Sequence, residues 1–194
     1  TSWSDLAAYK GIFKFFQKTP KATLHFANST STRYALFFKV TRNLRLHTNR
    51  GVAGIDGCTS TAVGHALSTR DRVTLVTGDV AFLYDINGLT TVQRLPDNLR
   101  IIVINNSGGG IFRWLEGPDK VGLLESHFET KPKTNIKTAA SFCGVDYFCG
   151  VDSESTQQGL IDLEKNIGTA ILEIVTNPEK SSDIYRQLLI ALKG

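Results

Sequence analysis

The sequence predicts an α/β protein with a doubly wound, mostly parallel six-stranded sheet and helices on both faces. Three observations carry that reading. Strand-like runs near residues 22, 44, 72, 100, 146 and 169 alternate with helical stretches. Two runs, 73–77 and 101–104, are apolar or β-branched throughout, as in strands buried on both faces of a parallel sheet. Between them Phe82, Ile86, Leu89 and Gln93 fall at helical spacing, the mark of a crossover helix with one mainly apolar face. The unit is therefore β-α-β. Asp79 and the pair Asn105-Asn106 fall just past the carboxyl ends of its strands, the edge where doubly wound sheets bind ligands. A carboxylate, an amide oxygen and an exposed glycine carbonyl there are hard donors suited to Mg²⁺ that also holds phosphates.

The remaining elements follow in order. Ser4 can cap a helix to about residue 17, with Leu6, Tyr9, Ile12, Phe13 and Phe16 as its apolar stripe and Pro20 beyond its end. Residues 22–27 read as a strand, 28–33 as a polar loop, and 34–38 as a short helix. Polar caps at such a turn either close the helix or leave amides free for an anion. A strand at 44–48 precedes Gly51, Gly54 and Gly57, glycines at three-residue intervals that suit a tight turn or a close approach to a ligand. A helix over 59–68 carries Ala62, Gly64 and Ala66, small enough to lie close on the sheet. His65 in that helix has no second ligand at i+4 and reads as packed or surface. Residues 111–115, apolar after three glycines, suit a segment closing over a bound molecule. Residues 117–135 read as a long irregular connection in which His127 has no assigned role. A helix at 137–143 and a strand at 146–149 come next. Ser155 through Gln158 fits a capping box for a helix to about residue 166. The last strand is 169–175, and Asn177-Pro178 turns into a closing helix over 182–192.

Composition narrows the function classes. A chain of 194 residues with 41% apolar residues is long enough for one domain with a real core. No apolar run reaches the roughly 18 residues of a membrane span. Cys58, Cys143 and Cys149 lack C-x-x-C spacing, so they read as buried thiols of a reducing cytoplasm and not as disulfides or a zinc site. Residues 1–50 carry nine Lys/Arg and one acid, +8, against +4 for the whole chain. These basic residues are spread over helix, strand and loop without aromatic interleaving, which argues for a solvated face and against nucleic-acid binding.

Here motifs add what periodicity cannot. Gly78-Asp79-Val80, residues 81–104 and Asn105-Asn106 resemble the metal-diphosphate signature of thiamine-diphosphate enzymes: Gly-Asp-Gly, some two dozen residues, then Asn or Asn-Asn. Val80 departs from the third glycine. Three longer words narrow the likeness: Asn49-Arg50-Gly51-Val52-Ala53-Gly54-Ile55-Asp56-Gly57, Gly78-Asp79-Val80-Ala81-Phe82-Leu83-Tyr84-Asp85, and Asn105-Asn106-Ser107-Gly108-Gly109-Gly110-Ile111-Phe112. In this order they resemble the 2-succinyl-5-enolpyruvyl-6-hydroxy-3-cyclohexene-1-carboxylate synthases of menaquinone biosynthesis, from about residue 24 to 174 and most strongly over 28–115.

The resemblance implies thiamine diphosphate bound with Mg²⁺ (or Mn²⁺), the metal on Asp79, Asn106 and the Gly108 carbonyl. It adds Gly54, Ile55, Gly78, Val80, Gly109, Gly110 and Ile111 as cofactor contacts, Ile55 propping the thiazolium against the pyrimidine. It aligns Ser29, Arg33 and Arg50 with carboxylate-binding residues, and Phe112 and Leu115 with apolar walls, for 2-oxoglutarate and isochorismate. Arginine forks suit such carboxylates. The family's activating glutamate lies on an amino-terminal domain supplied by a partner subunit, and no glutamate here stands in a matching motif. The expectation is a single domain over 1–194, the carboxyl-terminal diphosphate-binding piece of a larger cytoplasmic homodimer or homotetramer. It would lack the amino-terminal pyrimidine-binding and middle domains and be inactive by itself. A chain without methionine agrees with a processed or excised piece. Another thiamine enzyme, of the acetohydroxyacid synthase or 2-oxo acid decarboxylase type, would keep glycine at the position of Val80. A dinucleotide-binding module would need G-x-G-x-x-G after its first strand, and 28–33 contains no glycine. An interface module without catalysis is a third reading.

Overall fold

The computed structural model describes residues 2–114, 124–129 and 131–193. Strands β1 (Ala22–Phe26), β2 (Leu44–Thr48), β3 (Val73–Gly78), β4 (Leu99–Asn105), β5 (Asp146–Gly150) and β6 (Ala170–Val175) form one sheet, ordered β2-β1-β3-β4-β6-β5. Every pairing is parallel.

The uninterrupted apolar runs arise because both faces of the sheet are covered. Along β4, Ile102 and Ile104 face one core, and Ile101 and Val103 face the other. The first core takes residues from α1 (Asp5–Phe16), α2 (Thr30–Ala35), α7 (Ser153–Lys165) and α8 (Pro178–Lys193), with Tyr9, Phe13, Tyr34, Leu160 and Tyr185 among them. The second takes residues from α3 (Cys58–Ser68), α4 (Asp79–Tyr84), α5 (Asn87–Thr90) and α6 (Ile136–Cys143), including Ala62, Phe82, Leu89 and Ala139. Each fully buried Leu, Ile or Phe contributes roughly 1.5–3 kcal/mol against conformational entropy.

Several boundaries differ from the sequence reading, each for a local reason. Residues 28–33 are not all loop: α2 opens at Thr30, where the Thr32 hydroxyl bonds the Ala27 carbonyl at 2.7 Å, and it ends at Ala35, within the expected 34–38. The single crossover helix is two, α4 and α5, and Gln93 lies exposed beyond both. Asp85, at the break, turns its carboxylate to Ser60. Its Oδ2 accepts from the Ser60 amide at 2.8 Å and its Oδ1 from the Ser60 hydroxyl at 2.7 Å. That supplies the cap α3 lacks, since the residue before it is Gly57 at φ 73. The capping box lies one turn earlier than expected, between Asp152 and Ser155, so α7 opens at Ser153. Likewise α8 starts at Pro178, whose fixed φ suits a first helical position, with Asn177 Oδ1 accepting from the Lys180 amide at 2.8 Å.

Other expectations meet a different setting. Residues 110–113 form a short 3₁₀ turn (Gly110–Arg113), held by Arg113 against Glu129 and by Trp114 stacked on Tyr185 at 3.6 Å. His127 lies in a π-helical turn, Leu124–Phe128. The cysteines are not uniformly buried: Cys58 is, Cys143 is half-buried, and Cys149 on edge strand β5 is exposed. No described helix is long and apolar enough to cross a membrane.

Asp85 is 5% exposed and makes both bonds to Ser60. Asp85→Ala should therefore lower unfolding stability by about 1–3 kcal/mol, read from the urea midpoint. An unchanged midpoint would contradict its assigned role as the distant cap of α3.

Candidate active site

The chain runs outward from β1 to edge strand β2 and then doubles back across β1 to β3. So α2, leaving β1, and α4, leaving β3, pack on opposite faces of the sheet. Between them, at the carboxyl ends of the strands, such a topology opens a crevice. A cavity of about 540 Å³ lies there. Its lining includes Ser29 and Arg33 after β1, Arg50, Gly54 and Ile55 after β2, and Gly78, Asp79 and Val80 at the end of β3. Asn106, Gly108, Gly109, Gly110, Ile111 and Phe112 complete it after β4. Leu115 lies outside the described residues. Thus four loops, distant in sequence, bring every other predicted site residue to one place.

Register puts the acid beside the glycine turn. β3 and β4 pair with Gly78 opposite Ile104, so both chains leave the sheet at one level. The Asp79 carboxylate, 2% exposed, accepts a hydrogen bond at Oδ1 from the Val80 backbone amide at 2.9 Å. Its Oδ2 has no hydrogen-bond partner. Burial is the main cause that raises its pKa to about 7, and the amides of Val80 and Gly108 only partly offset it. A buried carboxylate with an idle oxygen is a site short of a cation.

The Asn-Asn pair divides its work. Asn105, the last residue of β4, donates from Nδ2 to Glu173 on β6. Asn106 lines the cavity, and its Nδ2 donates to Asp5 Oδ2 at 2.9 Å, so Oδ1 is the end left for a metal. Asp5, 1% exposed at the start of α1, is held by the Thr176 hydroxyl and by the Ser181 hydroxyl at 3.1 Å. Burial raises its pKa as well, against those three donors. Gly110 must lack a side chain, because a Cβ would lie 2.8 Å from Asn106 Nδ2. Ser107 at φ 65 and Gly108 at φ 139 reverse the chain, and the Gly110 amide bonds the Gly108 carbonyl at 2.9 Å. Gly109, at φ −76 and ψ 63, gives this an inverse γ-turn. A carboxylate, an amide oxygen and a turn carbonyl form an all-oxygen donor set that fits Mg²⁺ or Mn²⁺ carrying phosphate oxygens.

The opposite wall is set by Asn28. Its buried Nδ2 is shared among the carbonyls of Asn49, Val52 and Gly54 at 2.8, 2.9 and 2.5 Å, which folds the 49–54 loop over the cavity. Ser29 follows at φ 69, a strained conformation of the kind functional sites retain. Neither Arg33 nor Arg50 is paired with a carboxylate among the described residues, so the two guanidinium groups lend the cavity positive charge. Phe128 joins Phe112 at the wall, ring centroids 5.8 Å apart. The sequence reading missed Asp5 and Asn28 as positioning residues and Phe128 as a lining residue. Asp5 read only as a residue after a helix cap, and nothing in its neighbours marks a link to residue 106.

Fold and cavity together bring an all-oxygen donor set and two arginines to one crevice at the sheet edge. Residues 28–175 match the family described as thiamine pyrophosphate enzyme, C-terminal TPP binding domain, and the chain belongs to that family. It is similar to the 2-succinyl-5-enolpyruvyl-6-hydroxy-3-cyclohexene-1-carboxylate synthase of Christiangramia forsetii, 40% identical over 182 residues, 93% of this chain and 31% of that protein. Synthases of the same name from Cytophaga hutchinsonii (37%, covering 92% of this chain and 32% of the relative) and Flavobacterium psychrophilum (38%, 94% and 32%) are also similar. The chain spans about a third of the length of these curated relatives.

The raised pKa of Asp79 has a testable sign. Between about pH 4 and 7 the unfolded chain releases a proton that the folded site keeps, so stability falls as pH rises through that window. Without divalent cations, Asp79→Asn should be more stable than the parent at pH 8, by on the order of 2–4 kcal/mol. The gap should close towards pH 4. Parallel stability–pH curves for the two proteins would contradict this.

Proposed function

We propose that this domain holds Mg²⁺ and the diphosphate of thiamine diphosphate, as the carboxyl-terminal part of a 2-succinyl-5-enolpyruvyl-6-hydroxy-3-cyclohexene-1-carboxylate synthase. The whole enzyme would decarboxylate 2-oxoglutarate and transfer the succinyl-semialdehyde unit to isochorismate in menaquinone biosynthesis. The observation that carries this reading is the buried Asp79 carboxylate, with Oδ2 unpartnered, lining one cavity with Asn106 and Gly108.

Thiamine diphosphate, when bound, supplies the carbanion-stabilising chemistry. The residues of this chain bind and orient. Asp79, Asn106 and the Gly108 carbonyl would hold the metal, and the glycine turn at 108–110 would leave room for the diphosphate beside it. Ile55 would support the ring system from the opposite wall. Arg33 and Arg50, in no ion pair among the described residues, would make forked bonds to substrate carboxylates together with Ser29, and Phe112 would form an apolar wall, the role the resemblance also gives Leu115. The activating glutamate would come from the amino-terminal domain of a partner subunit in a cytoplasmic homodimer or homotetramer. The similarity of this chain to only a third of each relative supports such a division of labour.

Titration calorimetry should find thiamine diphosphate binding that requires Mg²⁺, weakened more than about tenfold by Asp79→Ala. Metal-independent binding, or a preference for NAD, would overturn the reading. Mixed with 2-oxoglutarate and isochorismate, the isolated chain should give no turnover; measurable product would contradict the assignment of the missing glutamate to another domain.

A further inference from the structure

A second group of potential ligands lies apart from the cavity. Register pairs His25 of β1 with His47 of β2, so both imidazoles project from the same face of the sheet. α3 packs on that face and sets His65 against them. The ring centroids are 4.8 Å apart for His25–His47, 5.0 Å for His25–His65 and 5.2 Å for His47–His65. One ring nitrogen from each residue falls within 4.8 Å of the others. None of the three lines the cavity described above.

Ordinary packing explains this cluster poorly. His25 is 4% exposed at a position where its neighbour on β3, Leu75, is aliphatic, and its Nδ1 has no hydrogen-bond partner. Its Nε2 meets His65 Nδ1 at 2.7 Å, so one of the two must carry the proton and the other remain bare. Burial, reinforced by the two neighbouring imidazoles, lowers the His25 pKa to about 4, and burial with the charges of His65 and Arg45 lowers that of His47. Asp71, whose carboxylate interacts with His65, is engaged by Lys21 at 2.6 Å.

We propose that His25, His47 and His65 form a binding site for a divalent transition-metal ion of the zinc type, tying edge strand β2 to β1 and α3. Three imidazoles are the donor set that such ions prefer and Mg²⁺ does not. Zinc–nitrogen bonds of about 2.0–2.1 Å in tetrahedral geometry need ligand nitrogens about 3.3 Å apart. The His25–His65 pair would open by about half an ångström and the His47 ring would swing in. His47 is exposed, so the fourth position faces solvent and takes water. The proposal is independent of the thiamine-diphosphate reading, since it uses neither the cavity nor its residues.

The test is equilibrium dialysis of the purified protein against Zn²⁺ with Mg²⁺ in excess to fill oxygen sites, followed by elemental analysis. Co²⁺ absorption serves as an independent reading of coordination. The parent and a Cys149→Ser variant should each hold one ion per chain. His47→Asn and His65→Gln should weaken binding more than about tenfold while circular dichroism stays unchanged. His47 is exposed, so its replacement tests the site without a folding defect. An absence of bound ion in the folded parent, equal affinity in the histidine variants, or occupancy lost only with Cys149 would each overturn the proposal.

Discussion

The Asp79 carboxylate and the Asn106 amide line one cavity where β3 and β4 end side by side, and the rest of the site is arranged around that juxtaposition. It exists because β3 and β4 run side by side in parallel with Gly78 opposite Ile104, so the two loops leave the sheet together. A register slip of one residue would turn each strand's side chains to the opposite face and separate the acid from the turn. Along β4, Ile101 and Val103 serve one core and Ile102 and Ile104 the other, so a slip would have to repack both cores at once. Burial on both faces of the sheet thus sets the position of a carboxylate at its edge.

Around that juxtaposition the protein keeps arrangements that are costly in isolation. Asp79 is buried with an unpartnered oxygen, Asp5 is buried beneath Asn106, and Ser29 and Ser107 both have positive φ. Each strained backbone residue costs on the order of 1–3 kcal/mol. The packing of α2 and α8 against the 110–114 segment, through Tyr34, Tyr185 and Trp114, offsets part of this and keeps the turn in place. Asp5 fixes which end of the Asn106 amide faces the cavity, so helix α1 contributes to the site without lining it.

Much of this was legible in the sequence. All six strands, their alternation with helices and the β-α-β unit were written in the spacing of apolar residues, and the motifs around 50, 79 and 106 named the lining. What periodicity could not carry were contacts between distant polar residues. Asp5 meets Asn106 across 101 positions, and Asp85 caps α3 across 25. The break between α4 and α5 falls at Asp85, whose carboxylate turns to Ser60, just ahead of Asn87-Gly88. His65 read as isolated because a metal pair was sought one helical turn away, whereas its partners come from two adjacent strands. The Asn28–Arg33 stretch read as loop because its polar, β-branched residues favour caps, and α2 is built from those same residues.

The most direct measurement is anomalous diffraction from crystals grown with Mn²⁺ and thiamine diphosphate. The account predicts one strong manganese peak bonded to Asp79, to Asn106 through Oδ1, and to the Gly108 carbonyl, with diphosphate oxygens completing the shell. A manganese ion elsewhere, or diphosphate bound in the cavity without contact to that ion, would contradict it.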